Sequence, residues 1–173
     1  AAALCVAVLV LPQCAGPRHS NRSGPPPRVP KGTTVASVSV DGLDGDFFHG
    51  TSGKPQKALI LLGGSEGGKS WSDQTEFIQE LVEQGFCVLS LGYFGTGDLP
   101  TDLRGNPLEY FSKAFHWLST QEGLVVPNDY AVMGVSRGAE LALLLGSRYP
   151  EVRAVVAIAP SSVVFPGPPT GIA

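Results

Sequence analysis

A chain of 173 residues, 43% hydrophobic and 16% charged, has the composition of one globular domain with a real core and not that of a disordered or fibrous chain. Its net charge of −3, with Lys and Arg scattered, offers no basic field for gathering phosphates, which argues against nucleic acid as a partner. Three cysteines, Cys5, Cys14 and Cys87, are too few and too unevenly spaced for a disulfide framework or a metal cluster; no metal and no cofactor is expected, and Cys87 reads as a buried strand residue.

The first eleven residues form an apolar run followed by Pro12, Gln13, Cys14, Ala15 and Gly16. That is too short to span a bilayer but matches a signal-peptide h-region before a small-residue cleavage zone, so residues 1–16 read as a signal-peptide remnant. Export is the expected destination, with the cytoplasm as the alternative. Leu11-Pro12-Gln13-Cys14 is also faintly like a bacterial lipoprotein box, so any membrane association is expected only through such an N-terminal signal or lipid anchor. Residues 17–32, rich in Pro, Gly, Ser and Arg with three prolines at Pro25 to Pro27, read as a linker. Asn21-Arg22-Ser23 fits a glycosylation sequon, which matters only in a eukaryotic secretory pathway.

The folded domain is expected over residues 33–173. Residues 33–40 alternate in polarity like a half-buried strand, and Asp41-Gly42 and Asp44-Gly45 supply turns toward a short strand around Phe47. Residues 57–62 form a buried-type strand. The next helix has Ser72 as its expected N-cap, an apolar face of Phe77, Ile78, Leu81 and Val82, and Gly85 at its C-terminal cap. Residues 86–91 form a strand. A helix then starts at Pro107, with Asn106 as cap and an apolar stripe of Leu108, Phe111, Phe115 and Leu118. Residues 130–133 are a strand and residues 136–148 a helix with almost no polar face, expected to be covered outside. Residues 153–159 lack alternation, as a strand buried on both faces does.

This order predicts an α/β fold, a mostly parallel sheet with helices on both faces and ligands at the carboxyl ends of the strands. Two features make the domain read as partial, with its C-terminal part missing: the absence of an initiator Met, and an apolar last strand that wants neighbours on both sides.

Gly134-Val135-Ser136-Arg137-Gly138 is a GxSxG pattern, weak alone, but here it falls between a strand and an apolar helix, the setting of the nucleophile elbow in an α/β-hydrolase. The turn at such an elbow is tight enough that the residues two before and two after the serine must be small, as Gly134 and Gly138 are. The helix beginning at Ser136 points its N–H groups and positive dipole end toward a reacting carbonyl, making the Arg137 N–H one oxyanion donor. The loop after residues 57–62 reads Gly63-Gly64-Ser65-Glu66-Gly67-Gly68 and lets backbone approach a substrate; its second donor is the N–H of Ser65, or less favourably Gly64. Tyr93 and Phe94, after the next strand, are candidates for lining an acyl pocket, although packing explains such aromatics equally well. Arg137 would meet a substrate phosphate or simply be solvated, and Glu140 reads as a helix-face residue.

The same loop satisfies the P-loop pattern GxxxxGK[ST] through Lys69 and Ser70, so a nucleotide-binding protein is a competing reading. Against it, Glu66 would place a carboxylate in a phosphate cradle, Trp71-Ser72-Asp73 reads as a loop and a fresh cap, and no later strand ends in a magnesium-holding Asp.

With these loops placed, the stretches ALILLGGSEGG, GFCVLSLGYFG, LP before NPLEYFSKAFHWL, and YAVMGVSRGAELALLLGS resemble the C-terminal catalytic domain of the bile acid-CoA:amino acid N-acyltransferase and acyl-CoA thioesterase family, over residues 35–165. The resemblance implies an acyl-enzyme mechanism on an acyl thioester, with Ser136 in the nucleophile's position and acyl-CoA or another acyl ester as the substrate partner. Serine there favours hydrolysis over transfer to an amine. The resemblance also implies that the family's acid and His lie beyond Ala173, in the order Ser, Asp, His, because His19, His49 and His116 do not fill the gap. Without a base Ser136 stays a weak nucleophile, so this stretch by itself is expected to be nearly inactive. A carboxylester or dienelactone-type hydrolase and a non-catalytic domain of the same fold are the alternatives.

Overall fold

The computed structural model describes residues 5–9, 29 and 31–163. Most of the Pro-rich linker, its sequon, Cys14, His19 and the last ten residues lie outside the described residues.

Among the described residues seven strands form a single sheet: β1 (Cys5–Leu9), β2 (Thr33–Val38), β3 (Asp44–Gly50), β4 (Gln56–Leu62), β5 (Phe86–Gly92), β6 (Val125–Val135) and β7 (Val152–Ile158). Their spatial order is β1-β7-β6-β4-β5-β3-β2. From β1 to β5 all neighbours are parallel, and at the far edge β3 runs antiparallel to both β5 and β2. Three helices connect the parallel strands: α1 (Thr75–Glu83), α2 (Glu109–Ser119) and α3 (Arg137–Arg148). The fold is the expected mostly parallel α/β sheet with helices on both faces.

Strand alternation divides the core in two. Ala58, Ile60 and Leu62 of β4 join Phe111, Phe115, Leu118 and Leu145 under α2 and α3, whereas Leu59 and Leu61 join Phe48, Ile78, Val82 and Val88 under α1. A continuous apolar run such as β4 is what two covered faces require.

Several boundaries differ from those expected. The N-cap of α1 is Gln74, not Ser72; Ser72 is buried and donates to Asp46 instead. Helix α2 begins at Glu109 with Leu108 as its cap, two residues inside the expected start, and Asn106 does not cap it. Gly85, as expected, follows the C-cap of α1 with φ of +90° and donates its N–H to the carbonyl of Val82. The strand expected to be buried on both faces is covered on one only: Val152, Val155 and Ala157 are buried, but Ala154, Val156 and Ile158 are half-buried. The reason is that α3 packs on β6 and β7, whereas α1 lies across the sheet over β3 and β5. For the same reason Leu144 of α3 faces outward and is exposed. The apolar N-terminal segment, read as a signal-peptide h-region, contributes Cys5–Leu9 to the sheet as β1, parallel to β7. Thus β7 has a neighbour on each side. Among the described residues no helix is long and apolar enough to cross a membrane.

Cys87 sits in β5, 1% exposed, its Sγ 3.4 Å from the carbonyl of Leu124. Burial pushes its thiol up to about 11. At pH 8 only about 0.1% would be thiolate, the form that alkylates. Iodoacetamide should therefore spare Cys87 in the folded protein and modify it once the chain is unfolded, as peptide mass mapping would show; rapid modification of the native protein at that site would contradict this burial.

Candidate active site

The register of the sheet brings four loops to one edge. Leu62 pairs with Leu91 and with Gly134, and Val135 pairs with Ile158, so the chain leaves β4, β5, β6 and β7 side by side at their carboxyl ends. Ser136 stands at that edge as the N-cap of α3, exposed, with φ of +53° and ψ of −115°. A serine held there stores on the order of 1–3 kcal/mol of backbone strain, which persists only where surrounding structure imposes it. Here the Ser136 N–H donates to the Ile158 carbonyl at 2.9 Å, and the Ser136 carbonyl accepts from Ala139 and Glu140 in the first turn of α3. The hydroxyl makes no capping bond to its helix.

The flanking glycines explain how the turn fits. A Cβ on Gly134 would collide with the carbonyl of Gly138, and a Cβ on Gly138 would collide with the carbonyl of Gly63 and stand 2.5 Å from that of Leu62. The absence of both side chains lets α3 start against the end of β4 and the loop that follows it. A Cβ on Gly64 would in turn stand 3.3 Å from the Ser136 Cβ. The elbow and the glycine loop are therefore in direct contact, the juxtaposition that their separate motifs suggested.

Within that loop Gly64 is buried and its N–H donates to Glu66 Oε1 at 2.7 Å, while Ser65 is exposed at the apex. The Ser65 N–H makes no hydrogen bond among the described residues. Tyr93 and Phe94 come to the same edge but point inward, 3% and 5% exposed. The Tyr93 hydroxyl donates to the Gly63 carbonyl at 2.7 Å, and Phe94 lies against Gly67, where a Cβ would meet its ring at 2.9 Å. Burial, reinforced by the carboxylates of Glu66 and Glu140 and opposed by Arg137, raises the Tyr93 phenol, which stays a neutral donor. Replacing Tyr93 by Phe removes one bond to a buried carbonyl and should lower stability by about 1–2 kcal/mol in urea unfolding; no measurable loss would mean that this bond does not hold the loop.

Glu140 differs most from its expected place on a helix face. It is 7% exposed, 3.1 Å from the Arg137 guanidinium, and accepts from Ser161 Oγ at 2.6 Å in the loop after β7. The Arg137 side chain, considered as a phosphate contact, is thus engaged with its own helix. Glu at the fourth position of α3 was visible in the sequence, but nothing local indicated that a loop more than twenty residues on would close over it.

Lys69, which a P-loop would send to phosphates, lies 3.2 Å from Asp44 Oδ1 and 3.2 Å from Asp46 Oδ1. Burial lowers its pKa, but the two carboxylates outweigh that and raise it, so the ammonium is held charged. Helix α1 begins only at Thr75, well past Lys69. A phosphate cradle needs the free lysine and the immediate helix N-terminus; this loop has neither. Among the described residues His49 lies in β3 with Nδ1 3.0 Å from the Gly50 carbonyl, and His116 is exposed on α2.

Residues 106–170 match the family model described as BAAT / Acyl-CoA thioester hydrolase C terminal. The resemblance read from the loops is shown. The chain is 36% identical over 115 residues to acyl-coenzyme A amino acid N-acyltransferase 2 of Rattus norvegicus, an alignment covering 66% of this chain and 26% of that protein. It is 28% identical over 131 residues to the mitochondrial acyl-coenzyme A thioesterase 2 of Homo sapiens, covering 75% of this chain and 26% of that one. It therefore spans about a quarter of the length of these relatives. In three dimensions it is similar to an esterase of Pyrococcus furiosus, with a TM-score of 0.58 at 19% identity over 74% of this chain and 49% of that chain. The fold is that of the α/β-hydrolases.

Proposed function

We propose that this chain carries the nucleophile half of a serine hydrolase acting on acyl thioesters, acyl-CoA above all, through an acyl-enzyme at Ser136. The observation that carries the reading is the exposed, strained Ser136 at the start of α3, in contact through Gly64 and Gly138 with the glycine loop after β4. Similarity to acyl-CoA thioesterases and acyl-CoA amino acid N-acyltransferases supports the substrate class.

In this reading Ser136 Oγ attacks the thioester carbonyl as a base removes its proton. The oxyanion is held by the backbone N–H of Arg137 and that of Ser65, and the thiolate of CoA leaves with a proton. Water then attacks the acyl-serine and releases the acid. Ser65 is favoured over Gly64 as the second donor because the Gly64 N–H is already taken by Glu66. Tyr93 and Phe94 act from beneath the site, Tyr93 by fixing Gly63 and Phe94 by supporting Gly67, with at most the edge of Phe94 available to an acyl chain. The base and its acid are assigned to residues after Ala173, as the resemblance implies.

A fluorophosphonate probe applied to the natural full-length protein tests the reading: phosphonylation mapped to Ser136 is the expected result, and labelled protein without modification there would overturn it. Comparing turnover of acyl-CoA with that of simple esters then separates a thioesterase from a carboxylester or dienelactone-type hydrolase, and a correctly folded protein that neither labels nor turns over either substrate would be a non-catalytic member of the fold.

A further inference from the structure

The acyl-transfer reading leaves Lys69 without a role, yet it sits in a polar cluster with several charged and hydroxyl partners. Its ammonium bridges Asp44 and Asp46 at the start of β3. Asp46, 1% exposed, also accepts from Ser37 Oγ in β2 at 3.3 Å and from Ser72 Oγ at 2.6 Å. Asp44 Oδ2 accepts from Thr96 Oγ1 at 2.6 Å in the loop after β5. A buried charge cluster of this kind is costly to desolvate and is held together only by full pairing.

What the cluster touches gives it a use. Lys69 ends the glycine loop that begins at Gly63, and Thr96 belongs to the loop containing Tyr93 and Phe94. The two loops are joined by the Gly68 N–H, which donates to the Phe94 carbonyl at 2.8 Å, and by the Tyr93 hydroxyl on Gly63. One end of the glycine loop is fixed by the ladder of β4. Its other end, four residues past the exposed Ser65, is fixed by Lys69.

We propose that Lys69 is a positioning residue: its ammonium, clamped between Asp44 and Asp46, sets the height of the 63–68 loop over Ser136 and so aims the Ser65 N–H at the oxyanion. This rests on the acyl-enzyme reading for its catalytic consequence but not for its structural one. A loop released at one end misplaces a donor by an ångström or so, enough to lower a rate by roughly 10- to 100-fold. Because the oxyanion exists only in the transition state, the loss falls on kcat and leaves KM nearly unchanged.

The test uses the natural full-length protein with Lys69→Met, Lys69→Arg and Asp44→Asn, read by acyl-CoA turnover and by hydrogen exchange of the backbone amides. Lys69→Met should lower kcat by roughly 10- to 100-fold with KM within about threefold, and should speed exchange in the 63–68 loop while β6 and α3 stay protected. Lys69→Arg, which keeps the charge between the carboxylates, should restore most of both. Asp44→Asn, which leaves the Lys69–Asp46 pair, should fall between, and it decides the matter should Lys69→Met fail to fold. Unchanged loop exchange and unchanged kcat in a folded Lys69→Met, or in Asp44→Asn, would overturn the proposal. A wild-type protein without turnover would instead overturn the acyl-enzyme reading, and the exchange measurement would still decide whether Lys69 holds the loop.

Discussion

Ser136→Ala in the natural full-length protein is expected to lower acyl-thioester turnover by on the order of 10⁴- to 10⁶-fold, the loss typical when a serine nucleophile is removed and only binding and oxyanion stabilisation remain. The unfolding midpoint should barely move. The Ser136 hydroxyl makes no bond to its own helix, and alanine inherits the same φ of +53° with the same strain. Activity and stability are therefore separable at this exposed position. Retention of a tenth or more of the turnover in the folded variant would transfer the chemistry to another residue, and a large loss of stability would show that the hydroxyl is structural.

Gly138→Ala should behave in the opposite way, damaging the fold and the reaction together. The added methyl would collide with the carbonyl of Gly63 and stand 2.5 Å from the Leu62 carbonyl oxygen and 2.9 Å from its carbon. These are backbone atoms at the end of the central strand and the start of its loop, and no rotamer change relieves them. Forced overpacking of this kind costs about 3 kcal/mol or more, which for a chain of this size lowers the melting temperature by roughly 10 °C. Any protein that folds must do so with α3 pushed away from the 63–64 loop, so Ser136 and the proposed donor at Ser65 separate. A melting temperature within about 2 °C of wild type would show that the helix start has room the structure does not reveal.

The parts of this molecule that were legible in the sequence are those whose cause is local or periodic. The alternation of apolar strands with amphipathic helices from β4 to β7 follows from period alone, as did the place of Gly85 past α1. The elbow was legible because Gly134, Ser136 and Gly138 fall at a strand-to-helix boundary that the surrounding pattern marks independently. What remained hidden depends on tertiary juxtaposition. Asp44 read as a turn former beside Gly45, Asp46 had no reading at all, and only the antiparallel pairing of β3 with β5 brings them under Lys69. Ser72 carries a good capping side chain, but a buried carboxylate competes for it and wins, so α1 starts later. Glu140 occupies a helix position that solvent would normally cover, and the loop after β7 covers it instead. Tyr93 is amphipathic, and its sequence position cannot tell whether the hydroxyl faces a ligand or, as here, the backbone of the neighbouring loop.

The pairing of β1 with β7 joins residues roughly 150 positions apart, Cys5 opposite Ala154, in a parallel ladder. Closing a loop of that length costs entropy that grows only as its logarithm, but the contact can form no sooner than β7 has been made. Strand β1, synthesised first, therefore has no partner in the sheet until β7, the last of the described strands, has been made.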